Sequence, residues 1–167
     1  MRVRTLAEAD LPAALDLFDA VVREGRWLAT EPPVNRFETA ASWRALLESD
    51  LGTLLVADAD GQLAGLAVLV GRGSPELGML VAEGSRRRGI GHALVDACVD
   101  WARAAGANEI VLHVFPHNTG AVALYEKHGF ERRGLIRRGY PRRSGERWDA
   151  LRMVKPLGAP YPSGSSR

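Results

Sequence analysis

The first fifty residues show two different periods of apolar and polar positions. Residues 1–6 alternate at every second position, which predicts a short strand, and apolar residues over 11–22 recur at helical spacing. A second helix is predicted over 37–48. The paired prolines in the segment 25–35 cannot continue either helix, so this segment is predicted to be a loop.

Two apolar runs over 52–58 and 63–70 flank the tetrapeptide 59–62, which contains an Asp-Gly step. Asp-Gly between alternating or apolar runs is a strong signal for a tight turn between antiparallel strands. The sequence therefore predicts a hairpin here, followed by a fourth strand over 76–82.

Helical spacing resumes at Ile90 and stops at Gly106, and the apolar run 109–115 then predicts a buried strand. This strand-helix-strand unit is expected to be parallel and right-handed. Asn118 is a good cap for a short helix that ends at Gly129. The remaining elements are strands over 130–138 and 147–154, which complete seven strands and four helices in an α+β domain over 1–155, and a disordered tail over 156–167 that is rich in Gly, Pro and Ser.

Composition is that of an ordinary globular protein, with 46% apolar and 25% charged residues among 167. No apolar run is long enough for a membrane helix, and the start is too acidic for a signal peptide, so we expect a cytoplasmic protein without membrane partners. The net charge of +2 is unevenly distributed: residues 1–80 carry 7 basic and 12 acidic residues, and residues 81–167 carry 15 and 8. A basic half suits an anionic ligand and an acidic half a cationic one.

Cys98 is the single cysteine and lies on the apolar face of the predicted third helix, so we expect it to pack in the core. His113 and His117 have the spacing of zinc ligands on a helix, but Pro116 separates them in a strand-to-loop context. No metal site is expected.

The segment from Leu80 to Leu94 ends a strand, turns through glycines and starts a helix. The first N–H groups of a helix lack intrahelical partners, and the positive end of the helix dipole favours phosphate. Two other phosphate-binding loops fit poorly. His92 stands where a P-loop needs lysine, and Leu94 stands where a dinucleotide fingerprint needs its third glycine.

Two motifs resemble the GNAT superfamily of acyl-CoA-dependent N-acyltransferases. Arg86, Gly89 and Gly91 match Arg/Gln-x-x-Gly-x-Gly/Ala, and the segment 118–130 looks like Asn-x-x-Ala-x-x-Leu-Tyr-x-x-x-Gly-Phe. Each motif is moderately specific alone. In this order, separated by one predicted helix and one strand, they point to acetyl-CoA as the acyl donor and to transfer of an acetyl group to a primary amine.

The resemblance implies a three-layer αβα fold whose mixed, mostly antiparallel seven-stranded sheet is split by a bulge in the fourth strand. It also implies the cofactor contacts. Backbone groups at Met79, Leu80 and Val81 would hold the pantetheine arm, and Asn118 and Tyr125 would lie near it. The diphosphate would be held by Arg87, Arg88, Gly89, Ile90, Gly91 and His92. Together with Arg86, which is also expected to bind the cofactor, these residues form the arginine-glycine loop.

Tyr125 also has a chemical argument of its own. A phenol with a pKa of about 10 can protonate a thiolate that titrates near 8.5, so Tyr125 is the candidate general acid. The general base is more open. His113 matches a position where some relatives carry a carboxylate base, and Glu76 or Glu31 could act through a water.

Trp27 and Glu31 lie in the loop that shapes the acceptor site of the family, and this segment is similar to that of relatives acting on small amines or amino-acid analogues. A small-molecule amine is the expected acceptor, with a protein N-terminus or lysine as the alternative. A homodimer is compatible with the sequence. The rivals are a silent acyl-CoA sensor and a nucleic-acid-binding module, the latter suggested by seven arginines against two glutamates over 131–147.

Overall fold

The computed structural model describes residues 1–158, and these contain the seven strands and four helices expected of an α+β protein. In chain order they are β1 Arg2–Thr5, α1 Leu11–Arg23, α2 Arg36–Leu47, β2 Gly52–Ala59, β3 Gln62–Val70, β4 Glu76–Val81, α3 Ile90–Ala104, β5 Glu109–Val114, α4 Thr119–Lys127, β6 Glu131–Pro141 and β7 Arg147–Pro156.

Local signals place the ends of several elements. Asp60 and Gly61 both have positive φ, at 56° and 77°, and join β2 to β3 in the predicted tight hairpin. Asn35 and Asn118 cap α2 and α4: their side-chain oxygens accept hydrogen bonds from backbone N–H groups three residues later, at 3.1 and 3.3 Å. Each cap satisfies a donor that the first turn of a helix leaves free.

The strand order is β1-β2-β3-β4-β5-β7-β6, and every neighbouring pair is antiparallel except β4 and β5. The two parallel strands pair only at Glu76 and Val111, after which they separate and split the sheet. The prediction of a bulge in β4 is wrong. The β3–β4 register runs without a shift from Gly65–Val81 to Val70–Glu76, so the split comes from the divergence of β4 and β5.

Two apolar clusters cover opposite faces of the sheet, because neighbouring strand residues point to opposite sides. On β2, Leu55 and Ala57 belong to the cluster that contains α3, whereas Leu54 and Val56 belong to the cluster that contains α1. This confirms the three-layer arrangement. Cys98 of α3 is 1% exposed in the first cluster, which confirms its core position, and burial raises its pKa to about 12.

The last strand is longer than the sequence suggested. Pro156 pairs with Glu109, and the N–H of Leu157 donates to the Asn108 carbonyl at 2.9 Å. These two residues therefore do not belong to a disordered tail; residues 159–167 of that predicted tail lie outside the described part of the chain. Within 1–158, no helix combines the length and the hydropathy needed to cross a membrane.

Candidate active site

A cavity of about 1110 Å³ opens where β4 and β5 separate. Most of the residues singled out from the sequence line it: Trp27, Glu76, Met79, Leu80, Val81, Arg86, Arg87, Gly89, Ile90, Gly91, His92, His113, Asn118 and Tyr125. Arg88 and Glu31 are the two that do not appear among the lining residues of the described chain. Segments far apart in the sequence thus meet at one place, the split in the sheet.

The fourth strand forms one wall of this cavity. Its register with β3 is complete, but only Glu76 has a partner on β5 among the described residues, where the Val111 N–H donates to the Pro75 carbonyl at 3.0 Å. Beyond this point the edge of β4 is free to bind another extended chain by strand addition. Met79, Leu80 and Val81 lie on this part of the strand, where the Val81 carbonyl accepts a hydrogen bond from Arg86.

The arginine-glycine loop (86–92) forms the second wall and leads into α3. Gly89 is the N-cap of α3 with φ of 83°, and Arg87 also has a positive φ, of 64°. A Cβ on Gly89 would meet no atom within 4 Å, so the space beside this backbone is open. At Gly91 a Cβ would lie 2.9 Å from the Leu124 side chain, and this glycine lets α3 approach α4.

The Arg86 side chain is bound by two groups of the protein itself. Its guanidinium makes a bidentate ion pair with Glu24, at 2.8 and 2.6 Å, and its Nε donates to the Val81 carbonyl at 3.1 Å. Sequence reasoning missed Glu24, which precedes Arg86 by 62 positions. No local pattern connects two residues so far apart.

Tyr125 of α4 is 6% exposed and packs against Phe130, with ring centroids 5.5 Å apart. It nevertheless belongs to the cavity lining. Burial raises the pKa of Tyr125 well above that of an ordinary phenol, because the charged form would be poorly solvated. The phenol therefore carries its proton at neutral pH.

Opposite α4, Glu76 at the start of β4 and His113 on β5 form a pair. His113 Nδ1 lies 3.0 Å from a carboxylate oxygen of Glu76, and both residues line the cavity. In the tautomer with the proton on Nδ1, this N–H donates a hydrogen bond to the carboxylate and Nε2 is an acceptor. Tyr140 of β6 lies in the same wall, and burial, followed by the charge of Glu76, raises its pKa.

The loop between α1 and α2 closes one side of the cavity, and the β6–β7 hairpin holds it there. The Arg142 side chain is 3% exposed and donates to the Ala29 carbonyl at 3.0 Å. A carboxylate oxygen of Glu31 accepts from the Arg143 N–H at 3.0 Å. Glu31 is therefore used to join two segments of backbone.

Sequence reasoning also missed an aromatic cluster beside this loop. Phe115 contacts His117, Tyr140 and Trp148, with ring centroids 5.0–5.6 Å apart, and the Arg142 guanidinium lies 4.2 Å from the Trp148 ring. In the sequence, Arg142 belongs to the basic run over 131–147. Its burial could not be recognised because two of the groups that it contacts, the Phe115 ring and the Ala29 carbonyl, lie far away in the sequence.

Two other expectations concern charged clusters. Among residues 1–158, no group of three or more His, Cys, Asp or Glu is arranged to hold a metal ion. In the basic run over 131–147, Arg132 pairs with Glu126 and Arg133 with Glu131, while Arg142 is buried. These arginines have partners within the protein.

A family model described as the Acetyltransferase (GNAT) family matches residues 17–130. The chain belongs to this family. It is an N-acetyltransferase with acetyl-CoA as its acyl donor. The open space beside Gly89, the N-terminus of α3 and the free edge of β4 fit a long, phosphate-bearing cofactor of this kind.

Individual relatives of this GNAT protein differ in what they are named for. An L-methionine sulfoximine/L-methionine sulfone acetyltransferase of Pseudomonas paraeruginosa is 27% identical over 136 residues, which cover 77% of this chain and 79% of that protein. The solved ribosomal-protein-alanine N-acetyltransferase of Brucella melitensis has a TM-score of 0.85 and 28% identity, covering 93% of this chain and 99% of that one.

A third protein shows the fold alone. The phosphinothricin acetyltransferase of Sinorhizobium meliloti, solved in complex with acetyl-CoA, has a TM-score of 0.85 at 22% identity and covers 99% of this chain and 93% of its own.

Proposed function

We propose that this acetyltransferase moves the acetyl group of acetyl-CoA directly to the primary amine of a small molecule. One observation carries the proposal: a single cavity is lined by the free edge of β4, the arginine-glycine loop, the buried Tyr125 and the Glu76–His113 pair. A donor site, an acid and a base thus lie around one space, as a direct transfer requires.

Acetyl-CoA, when bound, supplies the thioester that an amine can attack. Met79, Leu80 and Val81 would bind its extended arm through their backbone groups, as an added strand binds a sheet edge. The diphosphate would be held by backbone N–H groups at the start of α3 and by the charge of Arg87. Asn118, whose side-chain oxygen caps α4, keeps its amide NH₂ for a contact near the arm.

Tyr125 acts as the general acid in this proposal. As the new C–N bond forms and the C–S bond breaks, Tyr125 donates its proton to the departing sulfur. Its raised pKa keeps the phenol protonated until that moment. A thiolate is a weaker base than a phenolate, so the phenol must recover a proton as the sulfur takes one, and the nitrogen of the new amide gives up its extra proton for this purpose.

His113 acts as the general base, with Glu76 holding the ring. Through Nε2, directly or through one water, His113 takes a proton from the ammonium group of the acceptor and leaves the neutral amine that attacks the thioester. The carboxylate at 3.0 Å fixes the tautomer and orients the ring. Glu31 is a weaker candidate, because its carboxylate accepts from the Arg143 N–H and lies beside the Arg142 guanidinium.

The acceptor is proposed to be small because the α1–α2 loop is docked on the β6–β7 hairpin. Arg142 and Glu31 join the two, and Trp27 and Tyr140 line the cavity beside this contact. The relative named for L-methionine sulfoximine gives the same size class. A protein N-terminus is the second candidate, favoured by the likeness to the ribosomal-protein-alanine N-acetyltransferase structure.

A thiol-release assay with acetyl-CoA tests this proposal. The acceptors offered are L-methionine sulfoximine, other amino acids, polyamines, aminoglycosides and alanine-terminated peptides. We expect release of coenzyme A that depends on a small amine. At neutral pH, this release should be slower in His113→Gln than in wild type. Faster release with the peptides than with every small amine would favour the second candidate, and no release with any acceptor would contradict both.

A further inference from the structure

Glu24 and Arg86 connect the loop on the acceptor side of the cavity to the loop on the cofactor side. Glu24 caps the C-terminal end of α1, and Arg86 opens the arginine-glycine loop. Both guanidinium NH₂ groups donate to the carboxylate, and Nε donates to the Val81 carbonyl. The side chains are 29% and 20% exposed for Arg86 and Glu24, so the pair is largely removed from water.

Trp27 is part of the same network. Its indole N–H donates at 2.6 Å to Oε2 of Glu24, the oxygen that also accepts from Arg86 Nη1, and the Arg86 guanidinium lies 5.8 Å from its ring. The hydrogen bonds from Arg86, and then the one from Trp27, hold the pKa of Glu24 below its usual range although burial opposes this. Glu24 therefore stays ionised and binds both partners at neutral pH.

The other side of Trp27 faces the segment after β5. The Trp27 ring centroid is 6.1 Å from that of His117, and His117 Nε2 lies 2.6 Å from the Arg26 carbonyl oxygen. The indole is thus fixed from two directions, by Glu24 on the cofactor side and by His117 on the β5 side. Trp27 lines the cavity, so its orientation shapes the space left for an acceptor.

We propose that Glu24 and Arg86 are positioning residues whose ion pair holds Trp27, and with it the acceptor wall, against the cofactor loop. In this assignment Arg86 is not a phosphate ligand. Its charge is compensated by Glu24, and all three of its nitrogens already donate hydrogen bonds. The inference rests on the proposed function only in taking the Trp27 side of the cavity as the acceptor site.

Substituting Glu24 or Arg86 distinguishes phosphate binding by Arg86 from positioning of Trp27 by the ion pair. If Arg86 bound phosphate directly, Arg86→Gln would weaken acetyl-CoA binding, whereas Glu24→Gln would free a cation beside the loop and leave binding unchanged or tighter. If the pair positions Trp27, the two variants must behave alike, and the double variant must be no worse than either single one, because one interaction is lost in all three.

Asp19→Asn is a matched control. Asp19 lies on the same helix as Glu24, its side chain is 19% exposed, and it pairs with Arg23 at 2.9 Å without appearing among the cavity-lining residues of the described chain. We expect this control to keep the wild-type constants.

Calorimetry measures the acetyl-CoA Kd, and thiol release measures KM and kcat for the acceptor that the assay identifies. The quenching of Trp27 by acrylamide is obtained as the difference in fluorescence between each variant and the same variant that also carries Trp27→Phe. We expect Glu24→Gln, Arg86→Gln and their double variant to change the Kd less than threefold, to expose Trp27 to quenching equally, and to raise the acceptor KM about tenfold with kcat within about twofold.

A tenfold weaker Kd in Arg86→Gln alone would overturn the proposal, as would effects of the two substitutions that simply multiply. Calorimetry and quenching need no acceptor. Absence of thiol release in every variant would therefore contradict the proposed function and still leave these two measurements to decide on the ion pair.

Discussion

Tyr125 combines two properties that usually exclude each other, burial in an apolar core and access to a cavity. The ring packs with Phe130 in the cluster of α3 and α4, and the residue still lines the space between β4 and β5. A rigidly held phenol loses little conformational entropy when it donates a proton, because its rotamer is already fixed. Packing and a role as an acid are therefore compatible at this residue.

Replacing Tyr125 by Phe should remove the proton donor and keep the packing. We expect kcat to fall roughly 10- to 1000-fold, with the acetyl-CoA Kd and the melting temperature close to wild type. Steady-state thiol release and calorimetry measure these quantities. Tyr140→Phe removes a phenol from the opposite wall and should cost less than about tenfold. A kcat in Tyr125→Phe equal to that of the wild type would exclude the acid role.

At the residue scale, the sequence predicts what depends on near neighbours. Asn118 is recognisable as a cap because its side-chain oxygen accepts from an N–H only three residues later. Tyr125 is recognisable because it belongs to the same short motif. Glu24 and Arg142 could not be recognised in this way. Their partners, Arg86 and the Ala29 carbonyl, lie 62 and 113 positions away, and only the folded chain brings them together.

At the element scale, the turn into α3 depends on Gly89 more than on any other glycine of the loop. Its φ of 83° lies in the left-handed region, where a β-branched residue is strained, and the space beside it is open. Gly91 has a different function, since a side chain there would meet Leu124 of α4. One motif thus contains a glycine for conformation and cofactor access and another for helix packing.

Gly89→Val should abolish stabilisation by acetyl-CoA in a protein that still folds. Wild type at 100-fold the Kd gains about 2.7 kcal/mol by mass action, which raises the melting temperature by several degrees. The valine fills the space where phosphate would approach and strains the N-cap. Gly84→Val is the control, because its side chain would also meet open space and Gly84 has no positive φ. An undiminished shift in Gly89→Val would refute the cradle assignment.

Elements were predictable where one strong local signal fixed them. The Asp60-Gly61 signal predicted the turn between β2 and β3, and the helical spacing after Ile90 predicted α3. The way the sheet splits was not predictable, because β4 and β5 diverge after a single pair, Glu76–Val111, and that divergence depends on how both strands pack against helices on two faces.

At the scale of the whole molecule, the charge asymmetry along the sequence becomes a set of contacts across the cavity. Acidic residues of the first eighty positions meet basic residues of the rest: Glu24 pairs with Arg86, and Glu31 pairs with Arg142. From the sequence, the asymmetry predicts ligands of opposite charge. Part of it instead joins the α1–α2 side of the protein to the loop and hairpin on the other side.

Ion pairs of this kind also make the stability of the whole fold depend on pH. Asp10 joins the start of α1 to β1 through two hydrogen bonds from Arg4, at 2.6 and 2.9 Å, and these bonds, together with the Ala7 N–H, hold its pKa below the usual range. As the pH falls, the Asp10 carboxylate of the unfolded chain therefore takes up a proton at a higher pH than that of the folded chain. The stabilisation is present above the unfolded pKa, about 3.9, and is lost as pH falls through the folded pKa.

Asp10→Asn should consequently have a lower melting temperature than wild type at pH 7, and this difference should shrink as the pH is lowered below about 4. Calorimetric melts between pH 7 and the acid limit of solubility measure it. Asp16→Asn breaks an exposed pair with Arg36, in which the Asp16 side chain is 73% exposed, and should differ little from wild type throughout. A deficit in Asp10→Asn that stays constant as the pH falls would show that packing or the helix start, not the ionised pair with Arg4, accounts for the lost stability.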